Sequence, residues 1–225
     1  MRVVALCDSL RAVARLWRGL GDLPWIDLRF LLFGTGPFAP ARGASPADWK
    51  TALRLLLARR LAWSRHGLEH PAARGRLQAM RPEIGLYVSK RICRPPVIGC
   101  FPEGLLNLHL GLLPDSRGRQ PVEWSVLEGR PTGVTVFLLD AGIDTGRQIV
   151  LRREVPIRAE PDLAVAKRRL AERDAEFFRE ALERLRTPGF RPETHDGHGA
   201  RHYVMSRLFR DVVEERLSRA SGACT

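Results

Sequence analysis

A chain of 225 residues, 44% of them hydrophobic, is long enough to bury one sizeable core with a small appendage. No uninterrupted apolar run approaches the roughly 18 residues of a membrane-spanning helix, and Asp8 and Ser9 break the opening RVVALC too early for a secretory leader. The net charge of +12 raises a polyanionic partner, but 34 of the 37 basic residues are arginine, only Lys50, Lys90 and Lys167 being lysine, and they alternate with acids along RRLAERDAEFFREALERLR, so nucleic acid is disfavoured.

In chain order, RVVALC at 2–7 predicts a buried strand, followed by a helical pattern through residue 20. IDLRFLLF at 26–33 reads as a second strand, and the Gly/Pro-rich 34–46 as a loop. Ser45 is placed as the cap of a helix that runs through ADWKTALRLLLARRLAW to residue 63. A short helix over 71–80, a strand over 83–89 and a proline-rich turn at 95–96 follow. Residues 104–110 read as a strand, 121–129 as a helix, and 133–140 and 148–157 as strands. One long helix is expected from Pro161 to residue 186, with Leu163, Ala166, Leu170, Phe177, Ala181 and Leu185 on a single stripe. A Gly/His-rich loop then leads to an amphipathic helix on YVMSRLFRDVVEERL, whose apolar positions allow packing on the core or a homodimer.

Strands alternating with helices imply an α/β, Rossmann-like fold with a mostly parallel sheet flanked by helices. The main domain is placed at 1–187, with a loop-and-helix extension over 188–225. Cys7, Cys93, Cys100 and Cys224 form no Cys-x-x-Cys pair, as in a cytoplasmic protein with reduced thiols.

Two features carry chemistry. In LLNLHLGLLPDSRG (105–118), Asn107 and His109 interrupt a leucine-rich run, and strand alternation puts both on one face. Buried among leucines they would need partners; at a strand end they can converge on one reacting atom in the cleft where α/β sheets bind ligands. In DAGIDTG (140–146), two aspartates flank a glycine turn after a β-branched strand, so that Asp144 can approach His109.

NLHLGLLPDSRG, followed by PVEWSVLEG, TGVTVFLLDAGIDTG and QIV, resembles the folate-dependent formyltransferases. These use 10-formyltetrahydrofolate and act on methionyl-tRNA, glycinamide ribonucleotide and nucleotide-linked amino sugars. The likeness covers 82–157 and rests on Asn-x-His, a Leu-Leu-Pro turn and an aspartate 35 residues after the histidine. It implies catalytic roles for Asn107, His109 and Asp144. Formyl transfer to an amine develops an oxyanion, to which the Asn107 amide can donate. His109 can donate there as well, or carry the proton from the attacking amine to the leaving nitrogen. Asp144 would orient the imidazole and favour its charged form. The resemblance also implies that Ser89, Lys90, Ile92, Asp140, Ala141, Gly142 and Ile143 hold the folate, largely through backbone groups. Two positions depart from the family: Gly111 stands where a serine precedes Leu-Leu-Pro, and Ser116 where an aromatic precedes Arg-Gly.

The implied activity is N-formyl transfer from 10-formyltetrahydrofolate to a small-molecule primary amine, a nucleotide-linked amino sugar among the candidates. LCDSLRAV lacks the glycine that a phosphate-binding loop after the first strand needs, which disfavours glycinamide ribonucleotide. The chain is also short for the additional barrel domain of methionyl-tRNA enzymes. Two alternatives stand beside this reading: a 10-formyltetrahydrofolate hydrolase, and a non-catalytic folate- or nucleotide-binding protein. His195, Asp196, His198 and His202 form a histidine cluster with no fixed further ligand, so no metal is expected.

Overall fold

Strand β1 (Arg2–Cys7) is apolar from Val3 onward rather than alternating, the pattern of a strand covered on both faces, and Val3 through Cys7 are fully shielded from solvent. The computed structural model describes residues 1–34, 43–157, 162–196 and 198–222. They fall into two compact units, Met1–Asn107 and Leu108–Thr225. The fold is α/β, with a mostly parallel mixed sheet flanked by helices.

In the first unit, β1 pairs in parallel with β2 (Asp27–Phe33) on one side and β4 (Ile84–Val88) on the other. Helix α1 (Leu10–Leu20) follows β1, with the Ser9 hydroxyl accepting from the Ala12 N–H to cap it. Part of the expected loop over 34–46, residues 35–42, lies outside the described residues. Helix α2 (Pro46–Leu57) begins as expected: Ser45 accepts from the Asp48 N–H at 3.2 Å, and the Asp48 carboxylate accepts from the Ser45 N–H at 2.9 Å, a reciprocal cap. It does not run to residue 63. Arg59 takes a left-handed φ of 56°, and Leu61–Ser64 become strand β3, which pairs in parallel with β2 from Phe30↔Leu61 to Phe33↔Ser64. The apolar run there fits either element; the unpaired edge of β2 decides for the strand.

Helix α3 (Pro71–Ala79) precedes β4. The proline-rich turn at 95–96 proves to be a one-turn helix, α4 (Pro95–Ile98): proline is preset for a helix start, where its missing N–H costs nothing. Strand β5 (Leu105–His109) then pairs in parallel with β4, from Gly85↔Leu105 to Tyr87↔Asn107.

The second unit takes over within β5. It contains β6 (Arg117–Gly118), α5 (Pro121–Leu127), β7 (Gly133–Leu138) and β8 (Gln148–Glu154). Strand β8 pairs antiparallel with β7 and with β9 (Glu193–Thr194). The long helix expected from Pro161, itself outside the described residues, is two helices, α6 (Leu163–Glu172) and α7 (Asp174–Arg186). Arg173, at φ −91° and ψ 7°, ends one and starts the other. The break re-aims the second half, which buries Phe177, Phe178, Ala181 and Leu182, whereas the single stripe pointed to Leu185.

The tail returns to this unit. Strand β10 (Arg201–His202) pairs in parallel with β6, and α8 (Arg207–Gly222) packs on α5. The last helix starts four residues later than expected because Tyr203–Met205 run extended along α5, where Trp124 donates to the Tyr203 carbonyl and Met205 N–H donates to Gln120. Among the described residues no helix is long and apolar enough to cross a membrane.

Candidate active site

His109 ends β5 at only 7% exposure, and its ring is held from both sides. Nε2 lies 2.7 Å from the Ser116 carbonyl oxygen. A carbonyl only accepts, so Nε2 carries the proton of that bond. Nδ1 lies 3.8 Å from the Asp144 carboxylate, outside hydrogen-bond reach and inside ion-pair reach. The ring thus spans a fixed neutral acceptor and a carboxylate.

Three local structures make this geometry. The first is the Leu-Leu-Pro turn. Leu113 is fully buried against Phe137 and Ile149, and the Thr135 hydroxyl on β7 ties the turn together, donating to the Gly111 carbonyl at 2.7 Å and accepting from the Leu113 N–H at 3.0 Å. Arg152 on β8 adds a bond to the Leu113 carbonyl at 3.1 Å. Gly111 leaves no vacancy: a Cβ there would lie 2.7 Å from the Pro121 Cβ and 3.0 Å from His109 Nε2.

The second is the aspartate loop. Asp140 organises it, one carboxylate oxygen accepting from the Gly142 N–H and the other from the Thr145 hydroxyl, each at 2.8 Å. A Cβ at Gly142 would fall 2.4 Å from the Thr145 methyl, so the loop closes this tightly only around glycine. Asp144 follows at a left-handed φ of 45°, a conformation that aspartate tolerates better than most residues. Ala141 and Gly142 are exposed and Ile143 is half-buried.

The third is Arg117, whose guanidinium donates from Nε to the Asp144 carbonyl and from Nη2 to the Ile143 carbonyl, both at 3.0 Å. Its rigid fork clamps the aspartate loop from the residue directly after Ser116.

The remaining candidates lie in the first unit. Asn107 is half-buried opposite Tyr87 in the β4–β5 register and, two positions before His109, shares its face of β5. The Ser89 hydroxyl donates to Asp8 at 2.7 Å and accepts from the Arg91 N–H, while Lys90 and Ile92 are exposed. Burial raises the Tyr87 hydroxyl pKa, leaving it a donor to the Arg91 carbonyl at 2.9 Å. The histidine cluster does not assemble. His195 bonds Glu193, His202 stacks on Trp124, and among the described residues no three His, Cys, Asp or Glu side chains could hold a metal ion.

Sequence reasoning paired His109 with Asp144 but missed the parts that hold them: Thr135, the Ser116 carbonyl and the Arg117 fork. A buried threonine in a β-branched strand and a backbone carbonyl leave no sequence signal. Arg117 was legible only as a basic residue beside the turn.

The family model described as formyl transferase matches residues 42–182, more than half of the chain. The chain belongs to the formyltransferase family. It is 32% identical over 122 residues to the methionyl-tRNA formyltransferase of Trichlorobacter lovleyi, a match covering 53% of this chain and 38% of that protein. The chain spans less than half the length of the curated relatives it matches. Its fold is similar to that of glycinamide ribonucleotide transformylase 1 from Symbiobacterium toebii, with a TM-score of 0.63 and 22% identity over 87% of this chain and 94% of that one. It is also similar to the formyltransferase PseJ from Anoxybacillus kamchatkensis, solved with UDP-4,6-dideoxy-4-formamido-L-AltNAc and tetrahydrofolate. That likeness has a TM-score of 0.56 and 23% identity, covering 84% of this chain and 98% of that one.

Proposed function

We propose that the chain is an N-formyltransferase that takes its formyl group from 10-formyltetrahydrofolate and passes it to a primary amine on a small molecule. One observation carries this reading: His109, nearly buried, has Nε2–H committed to the Ser116 carbonyl and Nδ1 facing the Asp144 carboxylate. Such a ring accepts a proton at Nδ1 while staying in place, and the carboxylate stabilises the charge gained. Transfer to an amine needs that service, because the attacking nitrogen must lose a proton and the leaving nitrogen must gain one. Asn107, two positions earlier on the same strand face, supplies the amide donor for the negative charge on the formyl oxygen.

Support for a folate co-substrate within the second unit comes from the aspartate loop, where Ala141 and Gly142 are exposed and Ile143 is half-buried, so that their backbone groups are open to a ligand. Asp140 serves it indirectly by shaping the loop. A phosphorylated acceptor seated directly after β1 is disfavoured, because the Asp8 carboxylate stands there, accepting from Ser89, and would repel it.

The test is to incubate the protein with 10-formyltetrahydrofolate and a panel of primary amines, with nucleotide-linked amino sugars and glycinamide ribonucleotide included, and to read products by mass. A formylated amine is expected, with His109→Ala abolishing transfer and Asp144→Asn lowering it by about 10²- to 10⁴-fold. Free formate with no formylated amine would refute the transferase reading in favour of a hydrolase. Tight folate binding without turnover would reduce the chain to a binding protein.

A further inference from the structure

Residues beyond 198 contribute no group to the proposed chemistry, yet their backbone is built into the loop that seats His109. A Cβ at Gly199 would fall 1.9 Å from the Pro114 carbonyl oxygen, and one at Gly118 2.3 Å from the His202 carbonyl oxygen. At both places main chain meets main chain with no room for a side chain. Between them the Arg117 N–H donates to the Ala200 carbonyl at 3.1 Å and the Arg119 N–H to the His202 carbonyl at 3.0 Å, making the parallel pair of β6 and β10. The strand is anchored beyond that pair. The His202 ring stacks on Trp124 with centroids 4.8 Å apart and planes 13° from parallel. Trp124 Nε1–H donates to the Tyr203 carbonyl at 2.9 Å, and Met205 N–H donates to the Gln120 side chain at 2.6 Å.

The gripped segment holds both anchors of the reactive pair. The Ser116 carbonyl fixes the His109 ring, and the next residue, Arg117, clamps the carbonyls of Ile143 and Asp144. Upstream of it, Leu113 is tied by Thr135 and Arg152; downstream, Pro121 starts α5. The segment between has a tie of its own on the upstream side, where the Ser116 N–H donates to the Leu112 carbonyl at 3.0 Å. The tether at Arg117 and Arg119 fixes its downstream half, from which the Arg117 side chain reaches the aspartate loop.

We propose that residues 199–205 are a positioning strap that sets the spacing between the His109 ring and the Asp144 carboxylate through Ser116 and Arg117. The proposal rests on the roles given above to His109 and Asp144. Its consequence is that side chains on the tail, remote from the chemistry, govern turnover rather than substrate affinity, since small misplacements of a reacting group are costly in rate.

The test uses the full chain with Arg117→Lys, which keeps the charge and loses the fork, His202→Ala, which loses the stack, and His202→Phe, which restores it. Ring resonances of His109 are read by NMR without folate or amine, so this arm stands even if no acceptor is found. Wild type is expected to show a slowly exchanging Nε2-bound proton on His109, broadened or lost in Arg117→Lys and His202→Ala and regained in His202→Phe. Where transfer is measured, kcat should fall about 10- to 100-fold in the first two variants, with KM for both substrates nearly unchanged. The strap is refuted if wild type lacks the protected proton. It is equally refuted if the variants lower only the melting temperature, leaving the ring signals and kcat as in wild type. Should His202→Ala fail to fold, Trp124→Phe, which keeps a ring for the stack and loses the bond to the Tyr203 carbonyl, decides by the same readouts.

Discussion

Gly111→Ser asks whether His109 sits where it does because position 111 has no side chain. A Cβ there would stand 2.7 Å from the Pro121 Cβ, 3.0 Å from His109 Nε2 and 3.1 Å from its Cδ2. The first approach is to a carbon of the rigid ring that begins α5, so relief must come from moving the helix start or the imidazole. Moving the helix is an overpacking cost of about 1–3 kcal/mol, which lowers the melting temperature by roughly 2–4 °C per kcal/mol in a protein of this size. Moving the ring stretches the 2.7 Å bond to Ser116 and misplaces the proton-carrying group, an error worth on the order of 100-fold in rate. Thermal melting and formyl transfer at saturating donor separate the two routes. Gly111→Ser and Gly111→Ala should both melt lower or transfer at least about tenfold more slowly. A Gly111→Ser protein as stable as wild type and as fast or faster would refute the steric argument. The serine common at this point of the family would then be a lost helper rather than an excluded one.

Thr135→Val leaves the Gly111 carbonyl and the Leu113 N–H without their buried partner; urea unfolding should show a loss of about 2–4 kcal/mol, while Thr135→Ser should stay close to wild type. The Asp48 carboxyl is held below its ordinary pKa chiefly by the bond from the Ser45 N–H. Its stabilisation should be complete above the unfolded pKa of about 3.9 and fade as pH falls through the lower folded value. Wild type should therefore exceed Asp48→Ala by about 1 kcal/mol at neutral pH, a gap that closes in strong acid when unfolding is followed against pH. Burial pushes the Cys93 thiol up to about 12, so little thiolate exists at mildly alkaline pH. A disulfide reagent should label the half-buried Cys93 roughly 100-fold or more slowly than a free cysteine, and rapid labelling would contradict a thiol held this high.

Where periodicity and punctuation agree, the linear order of residues settles the outcome. RVVALC, apolar after its first residue, is a strand covered from Val3 to Cys7, and Ser45-Pro46 with Asp48 starts a helix whatever lies around it, because caps and patterning act within a few residues. The Asn-x-His and Asp-Thr-Gly spacing likewise picked out His109 and Asp144, which the fold brings to 3.8 Å. Tertiary structure decided the rest. The apolar run at 61–64 became a strand only because β2 had an unpaired edge to receive it. The stripe from Leu163 to Leu185 broke at Arg173 because its second half packs along a different line. The grip on His109 comes from a carbonyl at 116, a hydroxyl at 135 and a tail strand at 201–202. Those partners are distant in sequence and mostly main chain, and a backbone donor or acceptor is the same group in every residue, so which of them meet follows only from the folded path.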